Sequence, residues 1–525
     1  MFLGFYNLLT SNVRGLTLAG GSTVVSLWTL LRHINNGINY DVVGQIGLAQ
    51  QWQHGLMSGA QLGATNYLLK MPVYLTVNAI HFIPPMDRLL LLAILFNVAT
   101  FILLFFVYEK ILNLYKIKVR TWLYLGTAWL ATITGSVYWT DYANSRNLET
   151  VGGLWIIYLA LKLFKYKQFS TIAWLFVSTS IVFYADPLQL YVCGSGITLF
   201  VMIHLILRRT RVSAIEAFTA PAITFLGFAG SQALVFLSKK FLHVTFLESP
   251  SSLASINWPS ITVSTHNMAA STLNMFGADF LRKPSGFSTF RELLNAAVLT
   301  SIVILLIKLK SVSKYAANGL ILTVILVNYL VYAASGQALQ PTTSRYLVMV
   351  PLLLVILFVL KSNDLNKKYM VKLQRTWFVF ILTSSFMLIG ALAISWPSRH
   401  SKDMHIYTVI RFMEKNNYAY GMSSREIGVT STYFTDGKIN ILPMACNSNH
   451  TITPTNLFYD IAAFRKFNAY HGDVPIIVPP EGIRYIVNCS MGDIVKQFGA
   501  PKHEILIPDI GMAMIYEASS IRTTD

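Results

Sequence analysis

The chain has 525 residues, of which 54% are hydrophobic and 12% charged, and its formal net charge is +18. Soluble domains carry about 25% charged residues, so this composition excludes a soluble enzyme and a disordered protein. With 3 cysteines the chain is not a disulfide scaffold either. The composition predicts a polytopic α-helical membrane protein.

Apolar stretches of membrane-spanning length recur along the first three quarters of the chain. A bilayer core needs about 20 mostly apolar residues per helix. Eleven stretches meet this requirement and predict about 11 transmembrane helices, at 15–32, 88–108, 121–139, 148–163, 169–185, 188–207, 213–238, 291–308, 316–335, 345–361 and 376–396.

Basic residues alternate from loop to loop. Lysine and arginine cluster in the loops at about 109–120, 162–168, 207–212, 308–315 and 361–375, whereas the short loops between them hold little beyond Arg146 and Arg345. Because short cytoplasmic loops are rich in these residues, the N-terminus is predicted inside and the C-terminus outside. Topology and contact with an anionic lipid bilayer therefore explain much of the positive charge, and no nucleic-acid partner is predicted.

The first long outer loop begins with an acid beside an apolar stripe. Apolar residues recur at helical spacing from Val42 to Leu56, with glutamines mostly on the other face. This pattern predicts a helix in the membrane interface, with Trp52 as its anchor and Asp41 at its N-terminus. Asp41 is then either a helix cap or a general base, and both interpretations stay open.

Further acids stand where predicted spans meet the outer face. Asp141 and Glu149 flank the turn between the third and fourth spans, together with Arg146, and Asp186 lies between the fifth and sixth. Charges at membrane depth are costly and usually line a cavity or a site. The structural alternatives are an Arg146–Glu149 pair at the helix start and a capping role for Asp186.

Arg345 and Tyr346 open the tenth predicted span on the same face. A guanidinium in this position can hold a phosphate through two hydrogen bonds, or it can extend from an apolar segment into the interface. The sequence contains no P-loop, no HExxH, no Cys/His metal pattern and no GxSxG. We therefore predict neither a metal site nor a cofactor.

From Trp396 onward the composition changes to charges of both signs and apolar runs of strand length. This change predicts a transmembrane domain at 1–397 and a small extracytoplasmic α/β domain at 398–525, with a helix from Tyr407 to Lys415 and a turn at Asp436. Its two cysteines, Cys446 and Cys489, either pair in an oxidising compartment or stay free.

The layout resembles the GT-C superfamily of integral membrane glycosyltransferases, which includes the protein O-mannosyltransferases and the aminoarabinose transferases of lipid A. Asn39-Tyr40-Asp41 lies where that family carries its catalytic acid. Ser145-Arg146-Asn147-Leu148-Glu149 resembles the family's second polar motif, and Ser344-Arg345-Tyr346 resembles a late Arg-Tyr element. Many members have adjacent acids in the first loop, whereas here Val42 follows Asp41, which favours a mechanism without a metal.

The resemblance implies a glycosyltransferase of a bacterial inner membrane that uses a polyprenyl-phosphate-linked sugar donor and a glycan, lipid or protein acceptor outside the cytoplasm. Asp41, Glu149 and Asp141 are the expected catalytic residues. The donor's phosphate and sugar are expected to contact Arg345, Arg146, Asp186, Tyr346 and Asn147. The alternative function is a transporter or flippase for a glycolipid or polysaccharide precursor.

Overall fold

The computed structural model describes most of the chain. The described residues are 13–36, 40–53, 60–62, 66–117, 120–133, 147–206, 214–246, 258–280, 285–308, 316–334, 344–362, 367–396, 404–455, 459, 461–484 and 487–521. They fall into two compact units. The helical unit comprises residues 1–32, 93–234 and 249–395, and the tail unit comprises 33–92, 235–248 and 396–525. The tail unit thus adds two earlier segments to the C-terminal tail.

Every predicted span contains a helix. The helices are α1 (Val13–Asn36), α2 (Tyr40–Gln53), α3 (Asn66–Asn78), α4 (Pro85–Leu114), α5 (Thr121–Ile133), α6 (Asn147–Tyr166), α7 (Phe169–Ala185), α8 (Ser195–Ile206), α9 (Ala214–Leu242), α10 (Trp258–Met275), α11 (Phe287–Lys308), α12 (Ala316–Ala334), α13 (Met349–Ser362) and α14 (Lys367–Ser395). A π-helical segment, Leu190–Gly194, precedes α8, and a 3₁₀ turn, Ser344–Leu347, precedes α13.

Six of the described helices are long and apolar enough to cross a bilayer: Pro85–Leu114, Asn147–Tyr166, Phe218–Leu242, Phe287–Ile307, Ala317–Ala334 and Val371–Ser395. Large apolar side chains such as Leu103, Phe225 and Phe386 are exposed on them. An exposed apolar belt of this kind fits hydrocarbon rather than water. The chain is a multi-pass membrane protein, while the count of eleven spans and their orientation stay predictions.

The predicted helix of the first loop exists as α2. Every described side chain from Val43 to Trp52 is buried, glutamines included. Gln45 accepts a hydrogen bond of 2.6 Å from the hydroxyl of Tyr74 on α3. Bonding partners inside the tail unit thus satisfy polar side chains of this helix, while its position in the membrane interface, with Trp52 as anchor, stays a prediction.

The tail contains a six-stranded mixed sheet. Its strands are β3 (Tyr420–Ser424), β4 (Asn440–Cys446), β5 (Ile452–Pro454), β6 (Asp473–Val478), β9 (His503–Ile507) and β10 (Gly511–Glu517), in the order β5-β4-β3-β6-β10-β9. The central strand β3 runs parallel to both β4 and β6, and the outer pairings are antiparallel. Two small pairings lie elsewhere in the tail unit, β1 (Gln61–Leu62) with β2 (Thr245–Phe246) and β7 (Ile483–Arg484) with β8 (Asn488–Cys489).

Helices cover this sheet and close its core. They are α15 (Met404–Lys415), α16 (Arg425–Phe434), α17 (Ile461–Asn468) and α18 (Met491–Phe498). Val409 and Met413 of α15 are buried in one cluster with Ile441 and Ile477 of the sheet. The predicted helix at Tyr407–Lys415, the turn at Asp436 and an α/β domain in the tail are all present.

One carboxylate joins the first loop to the tail domain. Oδ1 of Asp436 accepts a hydrogen bond of 2.7 Å from Gln50 on α2 and lies 3.2 Å from a guanidinium nitrogen of Arg88 at the start of α4. Arg88 is 1% exposed and also donates to the carbonyls of Ile83 and His81. A buried guanidinium is tolerated only when its donors are satisfied, so this junction fixes the first loop within the tail unit.

Hydrogen bonds lower the pKa of one group of the tail, and burial raises the pKa of another. The backbone N–H and hydroxyl of Ser490 donate to Asp493 at the start of α18, and they lower the pKa of that carboxyl. Burial raises the pKa of Tyr433 well above its ordinary value. The Tyr433 hydroxyl donates to the carbonyl of Pro85 and remains a neutral donor.

A disulfide joins Cys446 at the end of β4 to Cys489 in β8, with a Cα–Cα distance of 5.5 Å, while Cys193 is a buried free thiol. We predict that the denatured, unreduced protein takes up a maleimide–polyethylene glycol at one cysteine and, after reduction, at three. The measurement is the stepwise shift in gel mobility. Since the bridge spans a sequence separation of 43 residues, its removal is expected to cost about 4 kcal/mol by loop-closure entropy.

The variant Cys193→Ala is the matched control, with no tag before reduction and two afterwards. Uptake of three tags by the unreduced wild-type protein would contradict the disulfide.

Candidate functional site

The predicted site residues divide into those that the structure describes and those that it does not. Asp141 and Arg146 lie outside the described residues, and so do the side chains of Asp41 and Arg345. The predicted convergence of Asp41 with the other acids therefore stays a prediction. Asn147, Glu149, Asp186 and Tyr346 are described, and all four belong to the helical unit.

Asn147 begins α6 and starts a line of buried amide and hydroxyl groups. Its amide nitrogen donates to Oδ1 of Asn97 at 2.8 Å, and the amide nitrogen of Asn97 donates to the hydroxyl of Thr29 at 3.0 Å. Thr29 in turn donates to the carbonyl of Val25 at 2.9 Å. This line joins α6, α4 and α1 inside the bundle. Because polar groups have no water in hydrocarbon, such paired donors and acceptors hold neighbouring helices together.

Glu149 lies in the first turn of α6 and is 5% exposed. The N-terminus of a helix carries a partial positive charge, which stabilises a carboxylate in its first turn. Burial of an acid among apolar helices is nonetheless costly and usually marks a site. Among the described residues of the predicted motif, Glu149 is therefore the strongest candidate for a site residue.

Asp186 ends α7 and is 1% exposed. Its carboxylate accepts hydrogen bonds from the backbone N–H of Leu188 at 3.2 Å and from the side-chain amide of Gln189 at 3.1 Å. The thiol of Cys193 lies 3.6 Å from Oε1 of the same glutamine. Asp186 thus organises the turn into the next helix, which agrees with the structural alternative and leaves a binding role compatible with it.

A glycine brings these two acids to one region. Gly153 follows Glu149 by one helical turn, so both lie on the same face of α6. A Cβ at Gly153 would lie 2.3 Å from Oε1 of Gln189 and 2.5 Å from the methyl carbon of Met349. The turn that Asp186 organises therefore packs directly against the Glu149 face. We call this region, with the Asn147 line beside it, the acidic end of the bundle.

Tyr346 lies close by, in the 3₁₀ turn that leads into the helix carrying Met349. It is half-buried, and its carbonyl accepts a hydrogen bond of 3.0 Å from Asn328 of α12. Farther along α12, the hydroxyl of Tyr332 lies 2.9 Å from that of Ser271 on α10. The predicted Arg-Tyr element therefore enters the bundle beside further polar contacts.

Arg291 was missed by the sequence argument. It lies in the first turns of α11, is 7% exposed, and its guanidinium carbon is 4.3 Å from the centre of the Trp28 ring. Both Arg291 and Trp28 donate to the carbonyl of Thr132, at 3.3 and 3.2 Å. Arg291 thus packs against α1 at Trp28, the residue before Thr29. The charged pair Arg291-Glu292 at the start of an apolar run was the available signal.

The chemistry available at the acidic end is thus two buried carboxylates and an amide–hydroxyl line, and elsewhere in the helical unit a buried guanidinium lies over an indole ring. Among the described residues, no three His, Cys, Asp or Glu side chains come together as a metal site. No protein-family model matches the chain, and a search of curated proteins finds no match either.

We predict that Asn97→Ala lowers the free energy of unfolding by about 1–3 kcal/mol, because it leaves the buried amide of Asn147 without its acceptor. The measurement is the thermal midpoint of the detergent-solubilised protein, followed by tryptophan fluorescence. Asn416→Ala is the control, because Asn416 is exposed and its side chain donates to the carbonyl of Phe412 in the preceding helix turn. Equal midpoints for the two variants would show that the buried line carries no stability.

Proposed function

We propose that the chain is a membrane glycosyltransferase that moves a sugar from a polyprenyl-phosphate-linked donor to an acceptor outside the cytoplasm. The observation that carries the proposal is the acidic end, where the turn organised by buried Asp186 packs against the face of α6 that carries buried Glu149. Such a bundle suits a prenyl chain, and buried polar groups suit the sugar phosphate at its end. The acceptor is a cell-surface glycan, a lipid or a protein.

The proposed reaction is a single displacement. An acceptor oxygen or nitrogen attacks the anomeric carbon, the bond from that carbon to the phosphate oxygen breaks, and polyprenyl phosphate leaves. Asp41 accepts the proton of the acceptor, as the resemblance of its position in the first loop implies. Glu149, Asp141 and Asp186 orient the sugar or the acceptor. The proposal requires no metal.

Positive charge is needed where the phosphate departs. Arg345 and Arg146 are the predicted ligands, with Tyr346 and Asn147 as further donors. We add Arg291 to this group, because it is a buried guanidinium held against Trp28, the residue before Thr29. A planar guanidinium can hold a phosphate through two hydrogen bonds.

The proposed location is the bacterial inner membrane, with the acidic end and the tail domain on the extracytoplasmic side. The alternation of basic loops supports this orientation. The disulfide between Cys446 and Cys489 supports it independently, because disulfides persist in oxidising compartments such as the periplasm.

We predict that Asp41→Asn lowers sugar transfer by about 10²–10⁴-fold while the protein stays folded and inserted. Asparagine keeps the size of the side chain and caps a helix about as well as aspartate, but it accepts no proton. The measurement is transfer of radiolabelled sugar from a polyprenyl-phosphate donor to membrane acceptor by the purified protein.

Asp87→Asn is the matched control, since Asp87 also stands in the first turn of a helix that begins in the first loop. Its transfer rate is expected to stay close to that of the wild type, because Asp87 has no role in the proposed reaction. Normal turnover by Asp41→Asn would refute the role of Asp41. If the wild-type protein moves the intact lipid-linked sugar between leaflets without bond cleavage, the transporter alternative replaces the transferase.

We predict that a reporter fused after Asp525 reads an extracytoplasmic C-terminus. Alkaline phosphatase, which needs an oxidising compartment, is expected to be active at this position, and green fluorescent protein that folds only in the cytoplasm is expected to stay dark. The paired control is the same two reporters fused after Lys368, in the basic segment at the start of α14, where the outcome reverses. A bright C-terminal fusion would overturn the proposed orientation.

A further inference from the structure

A cavity of about 380 Å³ opens in the tail domain at the carboxyl ends of β3 and β6. Ser424 ends β3 and Pro479 follows β6, and both line it. The chain passes from β3 to β4 on one side of β3, while β6 pairs with its other side. In open α/β sheets, small ligands bind at such a reversal of strand order, in pockets of about 300–1,000 Å³.

The side chain of Ser424 lies in the wall of this cavity. Ser424 stands at the N-cap position of α16, yet its side chain makes no capping hydrogen bond. Within the described part of the chain its hydroxyl has no hydrogen-bond partner. The hydroxyl is therefore available to a ligand, both as a donor and as an acceptor.

The charges of the wall define the ligand. Glu426, Glu481 and Asp509 bring three carboxylates to the cavity, against the guanidinium of Arg484 and the imidazole of His405. The excess of carboxylates disfavours an anionic ligand. Carboxylate acceptors beside guanidinium and hydroxyl donors match a ligand whose groups donate and accept at once, as sugar hydroxyls do.

The rest of the wall is apolar. Pro479, Pro480 and Ile406 offer ring and methylene surfaces, with Ile510 beside them. A pyranose ring presents a C–H face to such surfaces while its hydroxyl groups point to the polar wall. Binding pockets commonly combine an apolar lining with a few placed polar groups in this way.

A second cavity, of about 540 Å³, lies beside the same turn of the chain. It is lined by the turn from Pro479 to Gly482 and by Asn488, Cys489 and Ser490. Gly482 has a positive φ of 79°, and a Cβ there would lie 2.7 Å from the carbonyl oxygen of Cys489. Because the disulfide joins Cys489 to Cys446, this turn packs against a covalently anchored strand.

We propose that this cleft of the tail domain binds a neutral oligosaccharide. The geometry of the tail domain supports such binding whether or not the chain transfers sugars. If the transferase is also correct, the cleft holds a glycan that the enzyme extends or decorates.

The test uses the full-length protein in lauryldimethylamine oxide, because a maltoside detergent would itself present sugars. The probes are maltotriose, α-1,6-mannotriose and triacetylchitotriose, each at about 10 mM, which saturates a millimolar site. Saturation-transfer NMR detects binding and calorimetry measures the Kd. At least one probe is expected to bind, and no sugar donor is present, so the result is separate from that of the transfer assay.

Ser424→Ala and Asp509→Asn are each expected to weaken binding about tenfold, the effect of one lost hydrogen bond. Asp509 has a positive φ of 61°, which asparagine tolerates. Glu414→Gln is the matched control, because Glu414 is exposed on α15, the helix that brings His405 to the cavity. The thermal midpoint and the unreduced cysteine count establish that each variant is folded.

Three results would overturn the proposal. The first is that none of the three oligosaccharides binds. The second is binding that Ser424→Ala leaves unchanged, which would place the sugar elsewhere. The third is that inorganic phosphate or spermidine binds while no sugar does, and that Ser424→Ala weakens this binding. That result would assign the cleft to a charged ligand.

Discussion

Polar side chains inside an apolar bundle have no water to bond to, and this constraint organises the helical unit. Asn97 satisfies it twice, by accepting from Asn147 and donating to Thr29. Arg291 meets it through the ring of Trp28 and a backbone carbonyl. Each bond joins helices that are distant in sequence, so the bonds that relieve the cost of burial also bring the acidic end together.

The sequence predicts the positions of the helices well, because an apolar stretch of about 20 residues rarely forms anything other than a buried or membrane-spanning helix. It predicts the tail less well. The central strand β3 was missed, since Tyr420–Ser424 has small and polar residues where a buried strand normally has branched apolar ones. Ser423 compensates by donating its hydroxyl to the carbonyl of Ile477. This partner lies 54 residues away, and local pattern reasoning has no means to detect it.

Charged residues beside membrane spans are costly and usually belong to a site, and this principle identified Glu149 and Asp186 from the sequence. Both side chains are buried in the structure. It did not reveal what connects them. A glycine carries no chemical signal in a sequence, and Gly153 matters only because Gln189 occupies the space of its absent side chain. Arg291 was missed for a related reason. A charged residue at the edge of an apolar stretch is normally interpreted as the end of a membrane span, and the sequence does not show that Arg291 contacts Trp28.

The tail unit imposes an order on biosynthesis. Asp436 bonds to Gln50 and Arg88, which precede it by 386 and 348 residues. At a translation rate of about 5–20 residues per second, the first loop waits roughly 20–70 s before its partner emerges. During this interval the guanidinium of Arg88 lacks its carboxylate. A chain truncated before Asp436 never acquires it, so this junction forms only after most of the chain has been synthesised.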